Sequence, residues 1–300
     1  MERGHTIKVL DHGYVKLVDY MGSDEAIVEA ARMSTGRGFV SWDAYKRCKR
    51  CDQVEFEPSE TTLCATDVDV TQGRLLHTWR DFPRGDLGLL ETMYKNKHST
   101  PFEFGELHIE VQAPLMVFRE WHRHRTQAYS EFSARYSQMP DLHYLPSEER
   151  IQKQSTINLQ GSGESFDVEY AGVVVSDLRH EQQLVYDHYN RLVEEGVAKE
   201  VARLNTPVSR YSKMRAKTDL RNWLGFLLLR MAPNAQWEIR QYANAVAEMV
   251  KVIWPRTYGL FEEYDLHGVH LSKREAAFLR TILSEVGSSL PAMLLAKLGR

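Results

Sequence analysis

Residues 122–137 read HRHRTQAYSEFSARYS: two histidines alternate with two arginines, and hydroxyl residues, a glutamate and a third arginine follow. Arg123 and Arg125 supply planar guanidinium forks. Beside hydroxyls and turn amides such forks suit a phosphate, which accepts several charge-assisted hydrogen bonds at once. Arg119 and Arg123 stand four apart and would share a helix face, whereas Arg123 and Arg125 would diverge. A basic last turn complements the helix macrodipole, and with Glu120 and Glu131 as salt-bridge partners that accounts for one or two of these residues. It does not account for Ser133 and Arg135 grouped with Glu131. His122 and His124, two apart on a helix, serve a shared metal poorly. An RNA-binding patch would need a wider basic surface and exposed aromatics, and Trp121, Phe132 and Tyr136 serve equally as core residues.

A net charge of −3 over 300 residues argues against a protein that coats nucleic acid, so the basic cluster reads as a pocket and no nucleic-acid partner is expected. No stretch approaches the ~20 apolar residues of a membrane span, and MERGHTIKVLDHG lacks the apolar core of a signal peptide. The expectation is a cytoplasmic protein with no membrane partner. Three cysteines cannot all pair, which points to reduced thiols. Cys48 and Cys51 form a C-x-x-C that could join Cys64 and His77 around a tetrahedral zinc. The stretch KRCKRCDQVEFEPSETT has almost no apolar periodicity, which favours a charged surface insertion, and no metal is assigned.

The elements that must position the cluster follow from periodicity and caps. Ile7 and Val9 alternate with polar residues, DHG at 11–13 marks a turn, and YVKLVDYM resumes the extended pattern, which predicts a hairpin. Ser23 before Asp24 and Glu25 is an N-cap with acids in the first turn, opening a helix through AIVEAARM. A second helix begins at Asp86 and buries Leu87, Leu90, Met93 and Tyr94; between them, 36–82 reads as a polar excursion with local helix. GELHIEVQAP alternates Leu107, Ile109 and Val111 against His108, Glu110 and Gln112, the period of a strand with one buried face. Pro114 opens a helix, PLMVFREWHRHR, with Leu115, Phe118 and Trp121 inward and the basic cluster on its last turn. Residues 150–170 read as a loop, and 176–195 as a long amphipathic helix stopped by Gly196. Thr218 caps DLRNWLGFLLLRM, apolar nearly all round and therefore central, and Pro233 closes it. NAQWEIRQYANAVAEMVKVIW makes a further helix with Trp237, Tyr242, Val246, Met249 and Ile253 inward, ending at Pro255. No repeat or linker divides the chain, and 43% hydrophobic residues can bury a core. The fold class is α+β: one domain over 1–300, a small antiparallel sheet packed by several helices, with the insertion at 36–82 and a helical extension at 268–300.

RHRTQAYSEFSARYS resembles the signature of the flavin-dependent thymidylate synthases, R-H-R-x-x-S-x-N-E-x-S-x-R, matched here by Arg123, His124, Arg125, Glu131, Ser133 and Arg135. KHSTPFEF at 97–104 is similar to the family's H-x-T-P-F-E segment, ARMS at 31–34 to its first-helix ending, KEVAR at 199–203 to its nucleotide-binding arginine, and LLLRMAPNAQWEIRQYA at 227–243 to its last conserved helices. The resemblance covers most of 7–265. It implies a homotetramer with FAD sites between subunits, methylating dUMP with 5,10-methylenetetrahydrofolate and NADPH. By resemblance Arg123, His124, Arg125 and Glu131 lie along the flavin, Ser34, Thr100 and Arg221 are further flavin contacts, and His98 sits near the ring and folate. Asp219, Gly225 and Asn234 fall at other cofactor-binding positions. The stretch Glu131, Phe132, Ser133, Ala134 and Arg135, with Glu120, Arg123 and Arg203, would hold dUMP. Arg230 is the position that binds the uracil and favours its ionised form. That role has its own physical sense: a permanent cation against the pyrimidine carbonyl stabilises charge that develops as C5 becomes nucleophilic. A cation at a helix C-terminus is the plain structural account of the same residue.

The chain departs from the pattern at Ala128 for serine, Ser130 for asparagine, Glu120 for glutamine, Gly225 for asparagine or histidine, Asn234 for histidine and Asp219 for an asparagine-like residue. A glutamate near the nucleotide could reject a second anion or prefer an amino-pyrimidine, so a related enzyme acting on another deoxypyrimidine monophosphate stays open. A non-catalytic nucleotide- or RNA-binding module is the remaining alternative.

Overall fold

The computed structural model describes residues 1–49, 51–57, 79–157 and 159–285. The chain divides into two compact units, Met1–Gly259 and Leu260–Arg300.

Strands β1 (Thr6–Val9) and β2 (Gly13–Met21) make the expected antiparallel hairpin. Gly13 is needed there because a Cβ would collide with the Tyr242 hydroxyl and the Gln112 carbonyl. Helix α1 (Asp24–Arg32) starts on Ser23, whose hydroxyl accepts from Ala26 N at 3.3 Å. Among its described residues the excursion after it holds strands: β3 (Tyr45–Cys48) pairs antiparallel with both β4 (Val54–Glu55) and β5 (Trp79–Phe82). Cys48 is buried and Cys51 half-buried, while Cys64 and His77 lie outside the described residues. No cluster of metal-ligating side chains occurs among the described residues.

Asp86 precedes helix α2 (Leu87–Lys95) but does not cap it with its side chain. Its carboxylate, fully buried, is drawn instead to Arg32: it accepts from Arg32 Nη1 at 3.0 Å and closely from Nη2, from Tyr45 Oη at 2.8 Å and from Val40 N at 2.7 Å. Arg32 Nη1 also donates to Gly38 O at 2.8 Å. Leu90 and Tyr94 are buried as expected, with Leu87 and Met93 only half-buried.

Strand β6 (Glu106–Pro114) leads into helix α3 (Leu115–Trp121), which ends before the basic cluster; residues 122–127 form the turn beyond it, and strand β7 (Ala128–Glu131) follows. Within 150–170, read as a loop, the chain forms a hairpin of β8 (Gln152–Gln154) and β9 (Ser162–Ser165). Helix α4 (Val168–Glu194) begins earlier than the apolar pattern indicates, because Asp167 caps it by accepting from Tyr170 N at 2.8 Å. The chain turns at Gly196 (φ +86°) into the short helix α5 (Lys199–Ala202). Strand β10 (Tyr211–Asp219) then completes an antiparallel sheet in the order β1-β2-β6-β10-β7. Its register lines up Val15, Val111 and Met214 in one buried row and Leu17, Ile109 and Ala216 in the next. The opposite face is charged, with Arg215 on Glu110 at 3.2 Å and Lys217 on Glu106 at 2.8 Å.

Helix α6 (Leu220–Arg230) is capped by Asp219 rather than Thr218: Asp219 Oδ1 accepts from Asn222 N at 2.9 Å. It buries Leu220, Trp223, Phe226 and Leu227 but leaves Leu228 and Leu229 exposed, so it is two-sided rather than central. Helix α7 (Trp237–Ile253) buries Tyr242, Val246 and Met249, with Trp237 exposed at its start. Helix α8 (Pro255–Phe261) follows, and the second unit contains α9 (Lys273–Glu285). The core of the first unit is thus one sheet face covered by α3, α6 and α7, with Trp121, Trp223 and Trp254 fully buried. No helix among the described residues is long and apolar enough to cross a membrane.

Candidate active site

The basic turn is held from below by aromatic packing and from the side by a tyrosine. Trp121, the last residue of α3, is fully buried, its ring 4.6 Å from Phe226, and its indole donates to Gln127 Oε1 at 3.0 Å. Tyr129 Oη donates to Trp121 O at 3.1 Å and to His124 O at 2.8 Å, and burial pushes its pKa up to about 12, so it remains a donor. The turn is pinned at both ends. Arg123 and Arg125 stand exposed on it with no ion pair among the described residues.

The end of α6 meets this turn through Arg230. Its Nη1 donates to Glu120 Oε2 at 2.8 Å, its Nη2 to Glu120 O at 3.0 Å and its Nε to His124 Nε2 at 2.9 Å. Accepting at Nε2 leaves the His124 proton on Nδ1. Burial, then the neighbouring Arg230 charge, lowers the His124 pKa from 6.5 to about 4, so the ring is neutral at physiological pH. A guanidinium has five N–H donors. Three are used here, which leaves two for a ligand.

Downstream, β7 delivers the turn at 131–137. Ser212 Oγ donates to Glu131 Oε1 at 2.8 Å and Phe132 N to Lys213 O at 2.8 Å, which moors the turn to β10. Ser133 O accepts from Tyr136 N and Ser137 N, both at 3.1 Å, and Ala134 is buried. Helix α5 is fastened to the same turn: Arg135 pairs with Glu200 at 3.2 Å and Lys199 Nζ donates to Tyr136 O at 3.1 Å. Arg203 caps α5 at its C-terminal end, one residue beyond Ala202.

The remaining residues singled out by sequence are not bonded into this hub. Ser34 is exposed on the 3₁₀ turn that follows α1, and His98 and Thr100 are exposed ahead of and within the 3₁₀ segment Thr100–Phe104, which packs against α1 and α6. Arg221 pairs with Glu103 at 2.6 Å. Asn234 lines a cleft of about 480 Å³ together with Arg150, Ser162, Gln236, Trp237 and Arg240. Gly225 is exposed, and a Cβ added there would meet nothing within 4 Å, so its side of α6 faces open space.

Residues 16–256 match the family model described as thymidylate synthase complementing protein. The chain belongs to this family. Among curated relatives, it is 39% identical over 285 residues to a flavin-dependent thymidylate synthase of Thermus thermophilus, covering 95% of this chain and 88% of that one. It is 36% identical over 276 residues to a flavin-dependent thymidylate synthase of Wolbachia pipientis wMel, covering 92% and 83%. Among solved structures it resembles the UMP/dUMP methylase PolB of Streptomyces cacaoi bound with 5-Br dUMP, with a TM-score of 0.64, 26% identity and coverage of 86% and 98%.

Set against the family pattern, three of the departures have local explanations. The Glu120 carboxylate is paired with Arg230, so the extra negative charge is largely compensated inside the hub. Ala128 and Ser130 lie on β7, where backbone pairing to Lys217 and Arg215 does the positioning. Two residues that residue types alone did not single out, Gln127 and Tyr129, pin the basic turn, and Arg210 is buried at 5% exposure just ahead of β10. Tyr129 could have been found from its place between the two halves of the motif, whereas no pattern announces the burial of a single arginine.

Proposed function

We propose that this chain is a flavin-dependent thymidylate synthase: it carries out the reductive methylation of dUMP to dTMP, with 5,10-methylenetetrahydrofolate as carbon donor and NADPH as reductant. The observation that carries the reading is the Arg230 hub, in which one guanidinium joins the basic turn, Glu120 and a neutral His124 and still has two donors to spare. The residues suit FAD. Arg123 and Arg125 are exposed cations without ion pairs among the described residues, the donor set an anionic diphosphate requires, and His124 has a single tautomer with Nδ1–H available. Ser34, Thr100, Arg221, Asp219, Gly225 and Asn234 complete the proposed flavin contacts, with His98 near the folate.

FAD, when bound, supplies the redox chemistry of the reaction, so no cysteine nucleophile is needed. The chain's own residues do the rest. Arg135, Arg203, Ser133 and the turn amides hold the 5′-phosphate. Arg230 lies against the pyrimidine carbonyl and stabilises negative charge as C5 attacks; its two bonds to Glu120 and one to His124 fix the fork before substrate arrives, so little reorganisation remains for the reaction itself. Because Glu120 is paired, it compensates the Arg230 charge in the resting site without adding an unpaired anion beside the base.

The catalytic machinery belongs to the first unit, with the 36–82 excursion inserted in it and the region from 268 as an extension. The proposed flavin residues are mostly exposed on the single chain, which supports a homotetramer whose sites are shared between subunits. Exposed apolar residues on α4 and α6, among them Val173, Leu184, Leu228 and Leu229, give such an assembly surfaces to bury. We place the enzyme in the cytoplasm, with small-molecule substrates. The test is product analysis after incubation with FAD, methylenetetrahydrofolate, NADPH and either dUMP, UMP or dCMP. Formation of dTMP from dUMP supports the reading. A methylated product from UMP or dCMP alone would replace dUMP, and a colourless protein that makes none would overturn the enzymatic reading.

A further inference from the structure

Arg210 is 5% exposed, and a cation buried to that degree ordinarily has a carboxylate partner. It has no ion pair among the described residues. Its side-chain hydrogen bond there, from Nη1 to Tyr211 O, is long at 3.4 Å, and its Nε is buried without any acceptor. Burial lowers its pKa from the ordinary value, and the charged groups whose fields reach it are Glu131 and Arg203. Left in that condition, a guanidinium destabilises the fold relative to an apolar side chain of similar volume.

The backbone explains where this charge sits. Arg210 N donates to Pro207 O at 3.1 Å, at the end of the turn that Thr206 N closes onto Arg203 O, also at 3.1 Å. Two and three residues later, Ser212 and Lys213 hold Glu131 and Phe132. Arg210 is therefore flanked in the chain by residues bonded to both segments to which the phosphate is assigned, the Glu131–Arg135 turn and the turn at Arg203. Arg135 is exposed and already shared with Glu200, and Arg203 is only half-buried.

We infer that Arg210 is a further phosphate-binding residue, the inner cation of the site, held unpaired in the free enzyme so that the dianionic 5′-phosphate of the nucleotide is its counter-ion. The inference rests on the nucleotide reading above. In low-dielectric surroundings a fixed positive charge attracts an incoming dianion more strongly than the less deeply buried Arg135 and Arg203 do. The side chain is thus a selectivity element for the phosphorylated substrate: it favours a nucleoside monophosphate over the nucleoside.

The test compares dUMP with deoxyuridine on the FAD-loaded wild type and on Arg210→Met, by calorimetry or competition, together with melting of the ligand-free proteins. In Arg210→Met, dUMP binding should weaken about ten- to a hundredfold while deoxyuridine binding stays within about twofold, the size expected for one charged hydrogen bond. The ligand-free variant should melt no lower than wild type, because an uncompensated charge has been removed. Inorganic phosphate should compete with dUMP on the wild type and lose that ability on the variant. Equal losses for dUMP and deoxyuridine, or a lowered melting temperature with dUMP affinity kept, would show a structural residue and overturn the inference. If Arg210→Met does not fold, Arg210→Lys decides: it should bind dUMP several-fold more weakly with deoxyuridine unchanged, and unchanged dUMP affinity overturns the inference. A wild type that binds dUMP alongside an equally competent Arg210→Met sinks this inference alone. A wild type that binds neither FAD nor dUMP sinks the proposed function and this inference with it.

Discussion

Replacing Arg230 by alanine separates binding from chemistry at the hub. The substitution deletes three hydrogen bonds, at 2.8 and 3.0 Å to Glu120 and 2.9 Å to His124, and the two donors left for the pyrimidine. The charge Arg230 meets is small in bound dUMP and grows as C5 attacks, so the loss falls mainly on the chemical step. Removal of one preorganised charge-stabilising donor costs about 2.7–4 kcal/mol, and turnover should therefore drop by about two to three orders of magnitude. The loss of dUMP affinity should be no more than about tenfold, since the phosphate anchors are untouched. Arg230→Lys should recover only part, because a point charge cannot keep Glu120, His124 and a carbonyl edge together. The side chains of Arg230 and Glu120 are 18% and 34% exposed, so the two residues should also couple: Arg230→Ala strands a half-buried carboxylate, and adding Glu120→Gln should restore about 0.5–3 kcal/mol of the combined loss. Single-turnover measurements following flavin absorbance, with dUMP titrated separately, read both quantities. Near-normal turnover in Arg230→Ala with dUMP or flavin affinity alone reduced would refute the activating role and leave Arg230 a binding contact.

Arg203→Ala should weaken dUMP by about 1.5–3 kcal/mol in calorimetry, the value of one charged hydrogen bond, and unchanged affinity would mean the phosphate lies elsewhere. Light scattering of the purified enzyme should give a tetramer; a monomer that keeps its activity at high dilution would defeat the shared-site reading. Asp86→Ala should lower stability by about 3–5 kcal/mol in urea melts, because it strands the Arg32 cation in a buried site, and a loss below about 1 kcal/mol would show that water reaches the pair. His124 supplies a pH dependence: its folded pKa, about 4, lies below the unfolded 6.5, so in that interval the unfolded chain binds the proton and stability falls as pH falls from 6.5 toward 4. Since the ring is only half-buried, the loss should be on the order of 1–2 kcal/mol, absent in His124→Gln, and a flat difference between the two proteins would remove His124 as the cause.

Much of this architecture can be read from residue types. The β1–β2 hairpin, α1 with its Ser23 cap and β6 announce themselves because large apolar residues recur at the right period. Strand β10 does not, because its buried face carries Met214, Ala216 and Thr218, two of them small, and lysines and arginines between them hide the alternation. The start of α4 is equally silent: only Ala171 and Tyr189 of that helix are buried, so no apolar stripe marks the turns that Asp167 initiates. The basic turn is legible as a phosphate-seeking cluster, yet its chemistry depends on Arg230, 105 positions after Arg125, and only tertiary packing brings the two segments together. Asp86 is a natural cap by type, and a buried arginine 54 residues earlier claims it instead.

The contact of Arg32, Asp86 and Tyr45 makes the excursion a keystone rather than an ornament. Anyone trimming the chain to a minimal enzyme by joining residue 41 to residue 83 would delete Tyr45 and leave Arg32 and Asp86 facing each other without the hydroxyl that both now share. The excision would therefore have to be accompanied by apolar replacements at both charges. Those replacements would in turn free Gly38 and Val40, whose backbone is at present fastened to the Arg32 and Asp86 side chains. Grafting the excursion onto another scaffold would require the reverse transplant, an arginine closing the helix before it and an aspartate opening the helix after it, installed together.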